Sequence, residues 1–239
     1  MLNWWFFRKP LITLMLIPLM GSQNCHVQAI NDKLSYVSLG YNSQNLCGST
    51  LFSDDFNDGN ADGWTTRLDG TWYVDNFRYV VDMGSGYELR GESLAGDTTW
   101  TDYTYEADVV IEDGYGKDFL YRYIDENNFY STSIIETYDF INIVKVENGI
   151  ASTLKMIEFP QDEYEWYHVV IKVEGNQISV YVNGDPAISY DDTGSSLIHG
   201  KIGFQGYTAQ VGVLKARFDN VLVRDLCSDY YAYMPLINK

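Results

Sequence analysis

The sequence predicts an all-β fold, a sandwich of two antiparallel sheets. From Leu51 onward, short runs of alternating apolar and polar residues are separated by turn residues at intervals of about ten residues. No stretch of this region sustains the 3.6-residue apolar period of an amphipathic helix. Roughly a dozen short strands with hairpin and longer connections are typical of a two-sheet sandwich, in which alternate residues enter the core.

Strands are predicted in order along this region. Tyr103–Val110, Phe119–Ile124 and Phe140–Val146 alternate most clearly between apolar and polar residues. Ile202–Phe204 and Val221–Val223 supply the closing strands. Each run is short enough for a strand and too short for a typical globular helix.

Two Asn-Gly dipeptides predict tight hairpins. The clearer one is Asn183-Gly184, which joins an alternating run at 177–182 to another at 187–190. Asn148-Gly149 marks the second hairpin. Asn-Gly favours this connection because both residues tolerate the positive φ angles of a type I′ turn.

Residues 1–29 are predicted to be a cleaved signal peptide. Arg8 and Lys9 precede the apolar run Leu11–Met20, and Val27-Gln28-Ala29 then supplies small residues suited to signal peptidase. A membrane anchor is the alternative, although the apolar run is short for a span of about 20 residues. The mature protein is therefore expected to be secreted or held at the bacterial cell surface, without membrane contact after cleavage.

The remaining chain is expected to hold one domain between two less regular segments. Residues 30–50 are rich in Asn and Ser and form a lead-in or linker. The β-sandwich covers residues 51–226, and residues 227–239 form a C-terminal tail.

The charge balance excludes some classes of partner. The chain has 33 Asp and Glu against 16 Lys and Arg, a formal net charge of -17, and no cluster of basic residues. A protein with this much negative charge repels phosphate backbones, and nucleic acid is therefore not an expected partner. The sequence leaves the oligomeric state open.

Several motifs in order make the region resemble a known group of domains. Asp54–Gly59 with Gly63-Trp64 comes first, Tyr121–Tyr123 with Asp125–Tyr130 follows, and Phe218–Val221 comes last. The series resembles bacterial concanavalin A-like (laminin G-like) jelly-roll domains over residues 51–226. The resemblance implies a two-sheet jelly roll. It does not select among sugar-binding modules, glycoside hydrolases, 3-keto-disaccharide hydrolase-type domains and adhesive domains.

Carbohydrate binding is expected at the second of these motifs. A sugar site needs an aromatic face for the apolar CH groups and planar hydrogen-bonding groups for the hydroxyls. Arg122 is the only charge among the apolar residues of its predicted strand, so it needs a partner. The alternative is structural: Arg122 forms a salt bridge with Asp125 or Glu106, and the aromatic residues are part of the core or its rim. The predicted binding residues are Trp100, Arg122, Asp125, Asn128 and Tyr130.

A calcium site is expected in the acidic opening segment. Asp58, Asn60 and Asp62 have the spacing of a calcium-binding loop, and calcium prefers oxygen ligands. The alternative is an Asx-rich turn whose side chains bond their own backbone. The resemblance to jelly rolls implies a different pair of ligands, Asp55 and Asp219, between the first and last strands.

Cys47 and Cys227 are a candidate disulfide, since they flank the predicted domain of an exported protein. First and last strands are neighbours in related jelly rolls. If Phe56 lies opposite Phe218 in an antiparallel ladder, the same register brings residues 47 and 227 together and sets Asp55 against Asp219. Two free thiols are the alternative.

The sequence favours binding over catalysis. The pair Glu106 and Glu112 is too widely spaced along one strand to supply the two carboxylates of a retaining glycosidase, which lie roughly 5 to 5.5 Å apart. We therefore expect a secreted, non-catalytic, lectin-like domain that binds a glycan or polysaccharide. The alternatives are an adhesive or structural sandwich and a glycoside-acting hydrolase of the 3-keto-disaccharide hydrolase type.

Overall fold

The architecture is a sandwich of β-strands. A computed structural model describes residues 48–114, 116–135, 139–162, 164–194, 196–208 and 212–226. Within these ranges no helix is long and apolar enough to cross a membrane. The described residues form fifteen strands: β1 (Thr50–Asp54), β2 (Thr65–Leu68), β3 (Thr71–Asp75), β4 (Arg78–Gly86), β5 (Arg90–Ala95), β6 (Tyr103–Asp113), β7 (Gly116–Asp125), β8 (Asn128–Ile135), β9 (Phe140–Glu147), β10 (Ile150–Glu158), β11 (Tyr167–Glu174), β12 (Gln177–Val182), β13 (Asp185–Asp191), β14 (Lys201–Tyr207) and β15 (Gly212–Asp225).

The strands form two antiparallel sheets, as predicted for a jelly roll. One has eight strands in the order β13-β12-β11-β6-β15-β4-β3, with β1 also paired to β15. The other has seven strands in the order β10-β9-β8-β7-β14-β5-β2. Strands that are distant in sequence are neighbours in this order. For example, β14 lies between β5 and β7.

The main core lies between the two sheets. Phe204 of β14 and Phe218 of β15 belong to different sheets, and their rings stack with centroids 3.9 Å apart. Phe119 packs edge-on against both rings. All three side chains are fully buried, and each contributes roughly 2 to 3 kcal/mol through the apolar surface it removes from water.

A second, smaller apolar cluster lies on the opposite face of the seven-stranded sheet, which we call the outer face. It contains Leu94, Leu120, Tyr123 and Phe129, with Val146 packed against it. Phe119 and Tyr121 of the same strand β7 belong to the main core. Alternation places Leu120 on the face opposite to Phe119 and Tyr121, and an irregularity after Tyr121 brings Tyr123 to the outer face as well.

Both predicted Asn-Gly hairpins are confirmed. Asn183 and Gly184 have φ angles of 53° and 88° between β12 and β13, and Asn148 and Gly149 have 53° and 76° between β9 and β10. Glycine and asparagine bear these left-handed conformations at low cost.

The predicted pairing of the first and last strands is also confirmed, with a shifted register. Thr50 lies opposite Arg224, in the register that would bring residues 47 and 227 together. After an irregularity, Asp54 lies opposite Val221, one residue from the predicted partner. Continued by one residue, this register sets Asp55 against Asn220 instead of Asp219. On the other edge of β15, Asp219 lies opposite Asp108 of β6. Cys47 and Cys227 lie outside the described residues.

Candidate functional site

Arg122, the residue expected to carry sugar binding, lies in the interior. Its side chain is 1% exposed. A register shift interrupts the pairing of β7 and β8 between Tyr121 and Asp125, and Arg122 has a φ of 47°. The irregularity breaks the alternation of the strand, so the guanidinium is not presented on a surface. The predicted sugar-binding surface around Arg122 is not assembled.

The guanidinium of Arg122 instead joins several loops. Its Nη1 donates hydrogen bonds to the carbonyl oxygens of Gly175 at 2.7 Å and Leu197 at 3.0 Å, and its Nε donates to that of Thr101 at 3.2 Å. Its Nη2 forms an ion pair with Asp102 at 3.1 Å. The partner is thus Asp102, and not Asp125 or Glu106 as the structural alternative proposed. A buried charge with this many partners stabilises a fold but is not available to a ligand.

The other four predicted binding residues are dispersed. Tyr130 is fully buried, and its hydroxyl donates to Oδ2 of Asp192 at 2.6 Å. Trp100 packs against the main core. Asp125 is exposed and Asn128 half-buried in the β7–β8 turn, where Nδ2 of Asn128 donates to Oδ1 of Asp125 at 2.9 Å. Trp100 is also half-buried, so Asp125 is the one fully exposed residue of the five.

A groove on the outer face is lined in part by Glu126 and Asn127, the two residues between Asp125 and Asn128. We call it the outer-face groove. Arg67 of β2 and Arg90 of β5 line one side, and Val146 and Ala151 from β9 and β10 line the other. The remaining lining residues are Leu68, Glu126, Asn127 and Gly149.

Aromatic rings lie beneath this groove. Phe129 stacks on Tyr123 with ring centroids 5.2 Å apart and an interplanar angle of 23°. The Arg90 guanidinium lies 5.5 Å from the centroid of Phe129, and Val146 packs against the same cluster. Both rings are buried and neither lines the groove, so its apolar lining comes from Leu68, Val146 and Ala151, beside two planar cationic side chains.

Charged groups of the groove are fixed by one another. Nη1 of Arg67 donates to the Tyr123 hydroxyl at 2.6 Å, and Nη2 contacts Oε2 of Glu126 at 2.5 Å. Glu92 is fully buried, pairs with Arg90, and accepts from the Tyr123 hydroxyl at 3.2 Å. Such mutual bonding holds the polar groups in place before any ligand arrives.

The network continues across the outer face to a second carboxylate. Nε of Arg90 donates to Oε1 of Gln205 at 2.8 Å, and Nε2 of Gln205 donates to Oδ2 of Asp118 at 2.8 Å. Burial raises the pKa of Asp118 to about 6, although its hydrogen bonds with Ser133 and Gln205 and the charge of Arg90 act in the opposite direction. This carboxyl group therefore changes its protonation state near pH 6, closer to neutral pH than an ordinary aspartate does.

Sequence patterns miss this network because its members come from separated strands. Glu92, Gln205 and Asp118 lie side by side only because β14 is inserted between β5 and β7. One local signal exists: Arg90 and Glu92 are charged residues two apart in a strand, and hence on one face.

The acidic opening segment forms backbone turns. Asp58 accepts a hydrogen bond from the backbone N–H of Asn60, and Asn60 accepts one from that of Asp62. Asp55 accepts one from Asn57, and Asp219 forms an ion pair with Arg78 at 3.0 Å. These are the turns that the structural alternative predicted.

These residues do not form a preformed calcium-binding site. Asp54, Asp55, Asp58 and Asn220 line one shallow groove. Within the described part of the chain, however, no group of three or more His, Cys, Asp or Glu side chains is arranged to hold a metal ion. Calcium prefers six to eight oxygen ligands, so any ion bound here would have to rearrange the turns or draw most of its ligands from water.

Comparison with known proteins gives a consistent set of relatives. Residues 51–224 match the model of the 3-keto-alpha-glucoside-1,2-lyase-like domain. A levanase of Bacillus subtilis (strain 168) is 28% identical over 190 residues, which are 77% of this chain and 26% of the levanase. An extracellular exo-alpha-L-arabinofuranosidase of Streptomyces chartreusis is 28% identical over 140 residues, 57% of this chain and 16% of that enzyme. The chain thus spans only a minor part of these relatives.

Solved structures with the same fold include binding modules and enzymes. The carbohydrate-binding module CBM66 from Bacillus subtilis is similar with a TM-score of 0.59 and 26% identity, over 68% of this chain and 96% of the module. A Bacillus licheniformis β-glucanase has a TM-score of 0.56 and 14% identity, over 75% of this chain and 99% of the glucanase. The glucanase shares the fold alone.

Proposed function

The chain belongs to the 3-keto-α-glucoside-1,2-lyase-like domain family and is a carbohydrate-related domain, and from this premise we propose that it binds a glycan in the outer-face groove without transforming it. The observation that carries the proposal is the composition of the groove. Arg67 and Arg90 face Val146 and Ala151 across it, and the stacked rings of Tyr123 and Phe129 lie beneath.

The chemistry of the groove suits a sugar with few or no charges. Planar guanidinium, carboxylate and amide groups from Arg67, Arg90, Glu126 and Asn127 match pairs of neighbouring hydroxyls. Each arginine is already paired with a glutamate, so the groove carries little net charge. Since the polar groups are fixed before binding, little conformational entropy is lost when a ligand enters.

The relatives support a place in polysaccharide metabolism. The two relatives are named as a levanase and an exo-alpha-L-arabinofuranosidase, and the chain covers only 26% and 16% of their lengths. The structural likeness to CBM66 extends over 96% of that binding module. We place the protein outside the cell, in keeping with the signal-like N-terminal residues and with the extracellular arabinofuranosidase.

Filling the groove tests the proposal. Ala151 is exposed on β10 and lines the groove, so Ala151→Trp should block it without disturbing the core. Ser152 is also exposed, but it pairs with Lys145 and points to the other face of the strand, so Ser152→Trp is the matched control. Affinity electrophoresis with levan, arabinan and laminarin should show retarded migration of the parent and of Ser152→Trp.

Ala151→Trp should lose at least tenfold in affinity for the retarding polysaccharide while melting within a few degrees of the parent. Equal binding by the two tryptophan variants would place the binding site elsewhere. If the parent binds none of the three polysaccharides, their chemistry is not what the groove recognises, and the proposal as stated fails.

A catalytic role is the second candidate, favoured by the state of Asp118. A carboxyl group with a pKa of about 6 suits a general acid or base near neutral pH. Glu92 lies on the same outer face, separated from Asp118 by Gln205. Two carboxylates in different surroundings are the arrangement that acid–base chemistry on a glycoside uses.

Product analysis separates the two candidates. The parent is incubated with the three polysaccharides and with a 3-keto-α-glucoside, and released sugars are followed by chromatography. Under the binding proposal no sugar is released. Release that disappears in Asp118→Asn and persists in Asp113→Asn, an exposed control, would establish the catalytic role.

A further inference from the structure

Polar side chains form a line across the outer side of the eight-stranded sheet. Arg78, Asp219, Asp108 and His168 come from β4, β15, β6 and β11, which are four neighbouring strands. Their chain neighbours Tyr79, Phe218, Ala107 and Tyr167 are buried in the main core, so the four side chains point the other way. We call this line the transverse row.

Contacts between the strands hold the transverse row together. Nε of Arg78 forms an ion pair with Oδ2 of Asp219 at 3.0 Å, and Asp219 lies opposite Asp108 in the ladder. Nδ1 of His168 lies 2.7 Å from Oδ1 of Asp108, and Nδ2 of Asn220 donates to Oδ2 of the same carboxylate at 2.7 Å. Asp108 therefore has partners for both oxygens.

An exposed aromatic ring stands at the edge of the row. Trp166 precedes β11 and is 41% exposed, whereas Trp64, Trp72 and Trp100 pack against the core. The Arg78 guanidinium lies 5.6 Å from the centroid of the Trp166 ring. The cation lies over the ring, and a large part of the Trp166 side chain is still exposed to solvent.

The row is accessible at its two ends, while the Asp219 side chain within it is only 8% exposed. The side chains of His168 and Arg78 are 43% and 37% exposed, and Asn220 is exposed. Four neighbouring strands span about 14 Å, which accommodates several units of an extended polymer rather than a single small molecule.

We propose that the transverse row with Trp166 is a second carbohydrate-binding surface, which takes a segment of a neutral polysaccharide. Trp166 supplies the stacking platform, and Arg78, His168 and Asn220 supply planar hydrogen-bonding groups for hydroxyls. The carboxylates of Asp108 and Asp219 disfavour an anionic polymer. This surface shares its ligand class with the proposed function but none of its residues with the outer-face groove.

Binding stoichiometry tests the two surfaces separately. Calorimetric titration of the full chain with oligosaccharides from levan, arabinan and laminarin should give two bound molecules per chain for the oligosaccharide recognised. Ala151→Trp and Trp166→Ala should each leave one, and the double variant should leave none. Tyr164→Ala is the control for Trp166, since Tyr164 lies two residues away and is 67% exposed.

Fluorescence of the parent chain provides a second readout. Tryptophan emission should change on titration of the parent, and the change should be absent in Trp166→Phe, which keeps an aromatic ring but removes the indole. A melting curve on each variant confirms that it is folded.

Each outcome decides between the two surfaces. One bound molecule that Ala151→Trp removes, with no fluorescence change at Trp166, overturns the second surface and leaves the groove. One bound molecule that Trp166→Ala removes leaves the transverse row and overturns the groove. Absence of binding to all three oligosaccharides overturns both.

Discussion

The side-chain amide of Gln205 joins Asp118 on one strand to Arg90 on another, and it donates to the Asp118 carboxylate at 2.8 Å. This carboxyl group is buried, and its pKa is raised from 3.8 to about 6. A raised carboxyl pKa means that the folded protein holds a proton that the unfolded chain has released. The contribution to stability is therefore present at low pH and is lost as the pH rises from about 4 through 6.

Asp118→Asn is predicted to stabilise the protein above pH 6. A neutral amide keeps an acceptor for Gln205 and avoids a buried charge, so the free energy of unfolding should rise by roughly 2 to 3 kcal/mol at pH 7.5. The difference from the parent should shrink towards zero as the pH falls to 4. Denaturant melts of parent, Asp118→Asn and the exposed control Asp113→Asn across this range measure it. A constant difference at all pH values would contradict the assignment.

Arg122→Ala is predicted to destabilise the fold. The variant removes the donor to the carbonyls of Thr101, Gly175 and Leu197 and the ion-pair partner of Asp102, which keeps only the backbone N–H of Gly175. Loss of one partner from a buried charged network costs about 3 to 5 kcal/mol, which lowers the melting temperature by roughly 10 °C in a domain of this size. Calorimetric melting checks the value, and glycan binding at low temperature should survive. Lost binding with an unchanged melting temperature would instead make Arg122 a ligand contact.

Calcium binding by the acidic opening segment stays a prediction. Asp54, Asp55 and Asp58 line one groove, and burial raises the pKa of Asp54. If calcium binds there, millimolar calcium raises the melting temperature relative to EDTA by an amount set by its concentration over the Kd. Asp58→Asn should reduce the shift. Identical melting curves in calcium and EDTA would exclude the site.

A disulfide between Cys47 and Cys227 also stays a prediction, because both residues lie outside the described residues. The register of Thr50 with Arg224 is the one that would bring them together. In the chain-entropy model, closing so long a loop stabilises the protein by about 4 to 5 kcal/mol. Peptide mapping of the exported, non-reduced protein should yield one linked peptide pair. Two free thiols would show that the register has no such consequence.

The fold could be predicted from the sequence because its signals are local. Alternation located β6, β7 and β9, and Asn183-Gly184 located a hairpin whose φ angles are both positive. Even the neighbouring first and last strands followed from the resemblance to jelly rolls. The one-residue register shift between β1 and β15 could not be predicted in this way, because a bulge is not visible in the pattern of apolar and polar residues.

The candidate site could be predicted only as a region. Asp125 and Asn128 of the β7–β8 turn were expected to contact a sugar, whereas the groove is lined by Glu126 and Asn127, which lie between them. Arg122 was expected on the binding surface, but at the irregularity after Tyr121 its side chain is buried. Glu92, Asp118 and Gln205 escaped notice because their proximity arises from strand order and not from spacing along the chain.

One guanidinium that serves three loops also constrains how the chain can diverge. An insertion near Thr101, Gly175 or Leu197 would move a carbonyl away from Arg122. Because the same guanidinium bonds the other two loops, they would lose support as well. The Asn148-Gly149 and Asn183-Gly184 turns lie at hairpin tips, and surface hairpins tolerate added residues well. Among relatives of this protein, length variation should therefore accumulate at these two hairpins, while the three loops around Arg122 keep their lengths together.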